Sequence, residues 1–147
     1  MLRQFVTIIA VFAIGGSAVL VPAHSRATAH HVTAYPAQPD LRIKQFVFSP
    51  ANDKAMKVHV VNSGKAPSQL CILRLTVRKI NGVPVGRVTE VKLPPLAPGK
   101  DTWLIMNAKS ILPNNISLES TTFKLNADAN SIVAESDEAN NEVWHNL

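Results

Sequence analysis

Apolar residues return at every second position through much of the chain beyond Asp40. Between Gln69 and Lys79, Cys71, Leu73, Leu75 and Val77 fall on one side and Arg74, Thr76 and Arg78 on the other. Period two is the period of a strand with one buried face, because successive side chains point to opposite sides. The same rule puts Met56, Val58 and Val60 on one face of Lys54 to Asn62, with Lys57 and His59 opposite. Leu41, Ile43, Phe46 and Phe48 alternate too, but the phase changes at Lys44-Gln45, which predicts a bend or bulge there. Val83 to Leu93 reads as a returning strand with Val91 and Leu93 inward. Thr102 to Met106 is a further strand holding Trp103, and Phe123, Leu125 and Ala127 mark another. Val143 to Leu147 forms the last. Its facing is open: either Trp144 points inward, or Val143, His145 and Leu147 do.

Turn chemistry separates these runs. Pro50-Ala51-Asn52-Asp53 and Asn62-Ser63-Gly64 reverse the chain, and Asn81-Gly82 is a favoured two-residue hairpin turn because both residues tolerate positive φ. Pro84 confines its strand to a sheet edge, since proline has no N–H to give the ladder. Pro94 to Gly99 is a rigid connector, and Ser110 to Asn115 is a loop. About seven short strands with no amphipathic helix make an all-β chain. The pattern is that of an immunoglobulin-like antiparallel β-sandwich. The strands could also close as a barrel, but their spacing and length favour two sheets.

The beginning of the chain has a different character. Arg3 precedes an apolar run from Phe5 to Leu20, and Val21-Pro22-Ala23 places small residues where a signal peptidase cuts. Residues 1–23 therefore read as a signal peptide, with Ala27-Thr28-Ala29 as a later cleavage point. The alternative is an uncleaved membrane anchor, for which the run is short. Residues 24–38, with three His and with Pro36 shortly before Pro39, read as a flexible leader. Adjacent His30-His31 on such a tail hold a metal poorly without further ligands. Residues 39–147 form the domain. Export places it in the periplasm, at the cell surface or outside the cell.

Charge is segregated. The chain carries a formal net charge of +5. Arg42 to Lys109 holds twelve bases and three acids, whereas Glu119 to Glu142 holds six acids and one base, Lys124. This describes a basic body with an acidic end. Cys71 is the only cysteine, so no internal disulfide can form and the core rests on hydrophobic burial.

The acidic end is concentrated in Asp128 to Glu142, DANSIVAESDEANNE. Asp128, Asn130, Asp137 and Glu138 supply the oxygens that Ca²⁺ takes as ligands. The helical calcium-loop spacing is not met: counting from Asp128, Val133 stands where Gly is required and Ala139 where Glu is required. The structural reading is that these side chains cap their own turns through Asx-type hydrogen bonds. On that reading the chain has no metal site and needs no cofactor, and Asn140 and Asn141 bond nearby backbone groups.

Four stretches together resemble the cell-adhesion-related domain of bacteria, CARDB. They are Pro39-Asp40-Leu41, Val58 to Gly64 (VHVVNSG), Leu96-Ala97-Pro98-Gly99, and Asn126 to Asn141 (NADANSIVAESDEANN). The last is the most specific, through the spacing of Asp128, Glu135, Glu138 and Asn140-Asn141. The resemblance spans residues 39–147. It implies an immunoglobulin-like or fibronectin-like module of the kind repeated in large surface or secreted proteins.

Catalytic constellations are not found. Cys71 would need an electropositive, open setting and a base to act as a nucleophile, yet it sits on the apolar face of its strand. No Ser-His-Asp elbow, phosphate loop or spaced Cys/His motif is present. Asn115-Ile116-Ser117 matches a glycosylation sequon. The basic middle lacks the interleaved aromatics of a nucleic-acid surface. The expected function is that of an exported, non-enzymatic binding or adhesion module, meeting a protein or cell-surface partner through a sheet face or an edge strand. The alternative is a small self-associating component of the envelope or matrix.

Overall fold

Among the described residues, seven strands form where the alternation places them. The computed structural model describes residues 36–147; the export-signal reading and His30-His31 fall outside them. The strands are β1 (Leu41–Ser49), β2 (Asn52–Asn62), β3 (Cys71–Ile80), β4 (Val83–Leu93), β5 (Asp101–Asn107), β6 (Thr121–Asn126) and β7 (Glu142–His145). A short 3-10 turn, Leu118–Ser120, precedes β6 and is capped by the Ser117 hydroxyl, which accepts from the Ser120 N–H.

All strand pairs are antiparallel. One sheet has the order β1-β2-β5 and the other β4-β3-β6-β7. The pattern of inward residues explains why two sheets form. Val58 and Val60 of β2 and Leu73, Leu75 and Val77 of β3 are all fully buried, and each strand leaves polar residues on its other face. Burying one such side chain contributes about 1.5–3 kcal/mol, and in the absence of a disulfide this burial must carry the domain.

Local chemistry fixes the register. The predicted bulge in β1 falls between Ile43 and Gln45, which lets Phe46 and Phe48 face inward after the phase change. The hairpin between β3 and β4 turns on Asn81, at φ 49°, and Gly82, at φ 77°. Positive φ at both positions matches the right-handed twist of the flanking strands. Pro84 lies in β4, which is an edge strand as expected.

At β7 the open question of facing resolves against Trp144, which is 48% exposed. Val143 packs on the core, and the His145 ring stacks on Phe123 at 4.8 Å between centroids. Leu147 lies beyond the strand and is exposed, so the inward set ends at His145.

Lys54 on β2 is buried beneath the crossing between β5 and β6. Its ammonium donates to the carbonyls of Pro113, Asn114 and Ile116 at 2.5, 3.0 and 3.0 Å. The three donors of the charged group thus meet three acceptors, and the loop from Ser110 to Asn115 is gathered around one cation. Lys54 shares the parity of Met56 and Val58, which is the signal in the sequence for its inward side.

Candidate functional site

The four stretches that carry the family resemblance converge at one end of the sandwich. Asn62, fully buried at the end of β2, joins the first three of them. Its Oδ1 accepts from the N–H groups of Asp40 and Gly64, and its Nδ2 donates to the carbonyls of Ala66 and Leu96. Its backbone meets the Pro98-Gly99 turn as well: the Gly99 N–H donates to the Asn62 carbonyl and the Asn62 N–H to the Lys100 carbonyl. One amide side chain therefore ties together Asp40 at the start of β1, the turn after β2, and the connector before β5.

Gly64 permits the close approach. A Cβ there would stand 2.4 Å from the Gln38 carbonyl oxygen and 2.5 Å from the Asp40 nitrogen. Gln38 is itself held, its carbonyl accepting from Lys65 and Ala66 N–H groups at 2.8 and 3.2 Å.

The acidic loop closes on the same segment. Glu135 is buried, and its carboxylate accepts from the Leu41 N–H and from Nδ2 of Asn141. The Ser136 N–H donates to the Pro39 carbonyl at 2.9 Å, and Asn140 Nδ2 donates to Asp40 Oδ1 at 2.8 Å. Asn140 and Asn141 therefore reach carboxylates through their side-chain amides, not the backbone groups expected of them. Burial pushes the Glu135 carboxyl up to about 7, and the negative charges of Glu138, Asp128 and Asp40 add to the rise; the Leu41 N–H acts in the opposite direction.

Three of the four calcium candidates are engaged within their own loop, whereas Asn130 reaches β3 instead of capping its own turn. Asp128, at φ 52°, accepts from the Ile132 and Val133 N–H groups through its two oxygens. Asn130 Oδ1 accepts from the Ile72 N–H, Asp137 from Ala139, and Glu138 from Glu135. The bonds of Asp128 and Asp137 are the local side-chain-to-backbone chemistry of tight turns. Among the described residues no group of three or more His, Cys, Asp or Glu side chains is placed to hold a metal ion.

Cys71 is buried beside Asp128. Burial, and then the Asp128 charge, push its thiol up to about 12, so the nucleophilic thiolate is suppressed at neutral pH. His59 lies on the outer face of the other sheet and cannot serve it as a base.

That outer face is the second notable surface. The pairing of β1, β2 and β5 sets side chains in rows: Gln45, His59 and Trp103 in one, Val47, Lys57 and Ile105 in the next. Val47, Trp103 and Ile105 are 51%, 44% and 64% exposed. With Lys57 they line a shallow open depression of ≈ 550 Å³. His59 stacks on Trp103 with centroids 4.6 Å apart and planes 6° from parallel, and its Nε2 meets Asp101 at 2.6 Å. The indole is thus held in one orientation. The pattern of Thr102 to Met106 marks the strand of Trp103 but not its face; the antiparallel register that sets it beside His59 is a tertiary fact.

The opposite face, on the four-stranded sheet, is different. Arg74 pairs with Glu90 and Lys124 with Glu142, while Lys124 also lies over the Trp144 ring at 5.7 Å. Its exposed aromatic is capped by a cation, and among the described residues Arg74 and Lys124 are paired while Arg78 and Lys92 are not.

Two antiparallel sheets of three and four strands around one core define an immunoglobulin-like β-sandwich. Within that class the chain belongs to the CARDB family, whose model matches residues 38–144. A solution structure of residues 272–376 of a candidate cell-surface protein from Methanosarcina acetivorans is similar in fold. It has a TM-score of 0.55 and 22% identity, covering 73% of this chain and 88% of the other. A crystal structure of the CARDB domain of a Pyrococcus furiosus protein, in complex with di-metal ions, gives a TM-score of 0.47 at 18% identity. That match covers 76% of this chain and 93% of the other. No curated protein sequence matches the chain.

Proposed function

We propose that this is an exported, non-enzymatic binding module that meets another component of the cell surface through the outer face of the β1-β2-β5 sheet. The observation that carries the reading is the contiguous exposure of Val47, Trp103 and Ile105 around Lys57. Exposed apolar side chains scattered singly mean little, but a joined patch with a polar rim is how binding surfaces present themselves. The acidic loop, by contrast, spends its hydrogen-bonding capacity inside the molecule. A binding role accords with the family and with the surface origin indicated for the Methanosarcina domain.

The test is binding of the labelled protein to the envelope fraction of its own host, wild type against Ile105→Asp. Ile105 is too exposed for the substitution to disturb the core, so the melting curve should be unchanged. Saturable binding lost in the variant supports the reading. Equal binding by a correctly folded variant contradicts it.

A further inference from the structure

We infer that the partner of this face is an anionic polysaccharide, its sugar rings stacking on Trp103 and its carboxylates pairing with Arg42, Lys44 and Lys57. The inference rests on the binding-module reading and deepens it. Charge is the first argument. Arg42, Lys44 and Lys57 are exposed on β1 and β2. Among the described residues none of them has a carboxylate within ion-pairing distance, and unlike the unpaired Arg78 and Lys92 of the other sheet, Lys57 adjoins the exposed Trp103 and Ile105. Asp101, the acid that accompanies them on β5, is already engaged by His59. The face therefore offers unneutralised positive charge to an occupant that brings negative charge.

Size is the second argument. Three half-exposed apolar side chains amount to a few hundred Å², the size of a small binding patch. A stable protein partner or a second copy of this chain needs roughly 800 Å² from each side. A narrow polymer needs far less at any one point, and it gains affinity by repeating its contact. The third argument is rigidity. The indole is stacked on one side by His59, which is itself tethered to Asp101, so the ring is oriented before any ligand arrives. A preorganised flat ring costs little entropy on binding, and the C–H face of a pyranose is its natural complement. Lys57, beside Ile105 in the open depression, sets a cation next to the stacking platform.

The two tryptophans make the test specific, since Trp103 and Trp144 lie on opposite sheets. In a Trp144→Phe variant the fluorescence reports Trp103 alone, and in Trp103→Phe it reports Trp144 alone. Each is titrated with polygalacturonate, with neutral dextran, with vesicles of phosphatidylglycerol and phosphatidylcholine, and with the host envelope fraction. The expected result is a saturable shift of Trp103 emission with polygalacturonate, absent with dextran and absent from Trp144. Arg42→Ala combined with Lys44→Ala should raise the Kd about tenfold, the equivalent of 1.4 kcal/mol, and added salt should weaken binding by screening.

A Trp103 response to the vesicles and not to the polysaccharide would overturn the inference in favour of a membrane surface. A response to the envelope fraction alone would overturn the ligand class while leaving the binding face intact. Silence of Trp103 toward every probe, the envelope included, would overturn both.

Discussion

Glu135 shows how a single residue links the acidic loop to the body. Its carboxylate takes the first N–H of β1 and the Asn141 amide, yet it is buried among Asp40, Asp128 and Glu138. Its folded pKa of about 7 stands above the ordinary carboxylate value of 4.5. The folded state therefore binds this proton more tightly than the unfolded chain does. The stabilisation is complete below about pH 4.5 and is lost as pH rises through 7. Glu135→Gln keeps an oxygen for the Leu41 N–H and removes the charge. The wild type should lose melting temperature from pH 5 to pH 8, and Glu135→Gln should flatten that part of the profile. Equal slopes in the two proteins would show that Glu135 does not carry the effect. Nothing periodic in the sequence marks this residue as buried, because it lies in a loop and its environment is made by β1, ninety-four positions earlier.

At the scale of elements, alternation carried most of the information. The limits read for β4 match the structure, the bulge at Lys44-Gln45 is present, and Cys71 lies inward with Leu73, Leu75 and Val77. Where the period was short, it could not decide: β7 has four residues, and its inward face is set by the Phe123 ring that it meets on β6. Parity also held two facts that polarity obscured. Lys54 and Asn62 share the inward face of β2 with Val58 and Val60, and both are buried because backbone carbonyls await them.

Replacing Lys54 with Met should expose this dependence. The side chain would still fill the space, but three carbonyls, that of Ile116 buried, would lose their donor. A cost of about 3 kcal/mol is expected, the order of losing hydrogen bonds to a charged group. Measured by denaturant unfolding, a change under about 0.5 kcal/mol, the scale of ordinary surface substitutions, would mean that the loop from Ser110 to Asn115 holds its shape without the cation.

For the whole molecule, the sequence signature and the binding face lie in different places. The four family stretches knit one end of the sandwich around Asn62 and Glu135. The exposed patch spans the middle of the β1-β2-β5 sheet and includes only His59 from those stretches. Motif spacing could therefore lead to the fold and not to the face, since exposure depends on strand order and on which cations go unpaired.

A structural role for the acidic loop makes a clear thermal prediction. Adding 1 mM Ca²⁺ or a chelator should leave the melting curve unmoved. A site with a Kd of 10 μM would instead stabilise by about 2.7 kcal/mol at a hundredfold excess of ion, an upward shift of many degrees for a domain of about this size.

The most direct measurement is hydroxyl-radical footprinting of the protein bound to its host envelope, read side chain by side chain. Binding through the β1-β2-β5 face predicts that oxidation of Trp103, Ile105 and Val47 falls on binding while Trp144, Ile132 and Leu147 are oxidised as in the free protein. Protection confined to Trp144 or to the Asp128–Glu142 loop, with Trp103 unchanged, would contradict it.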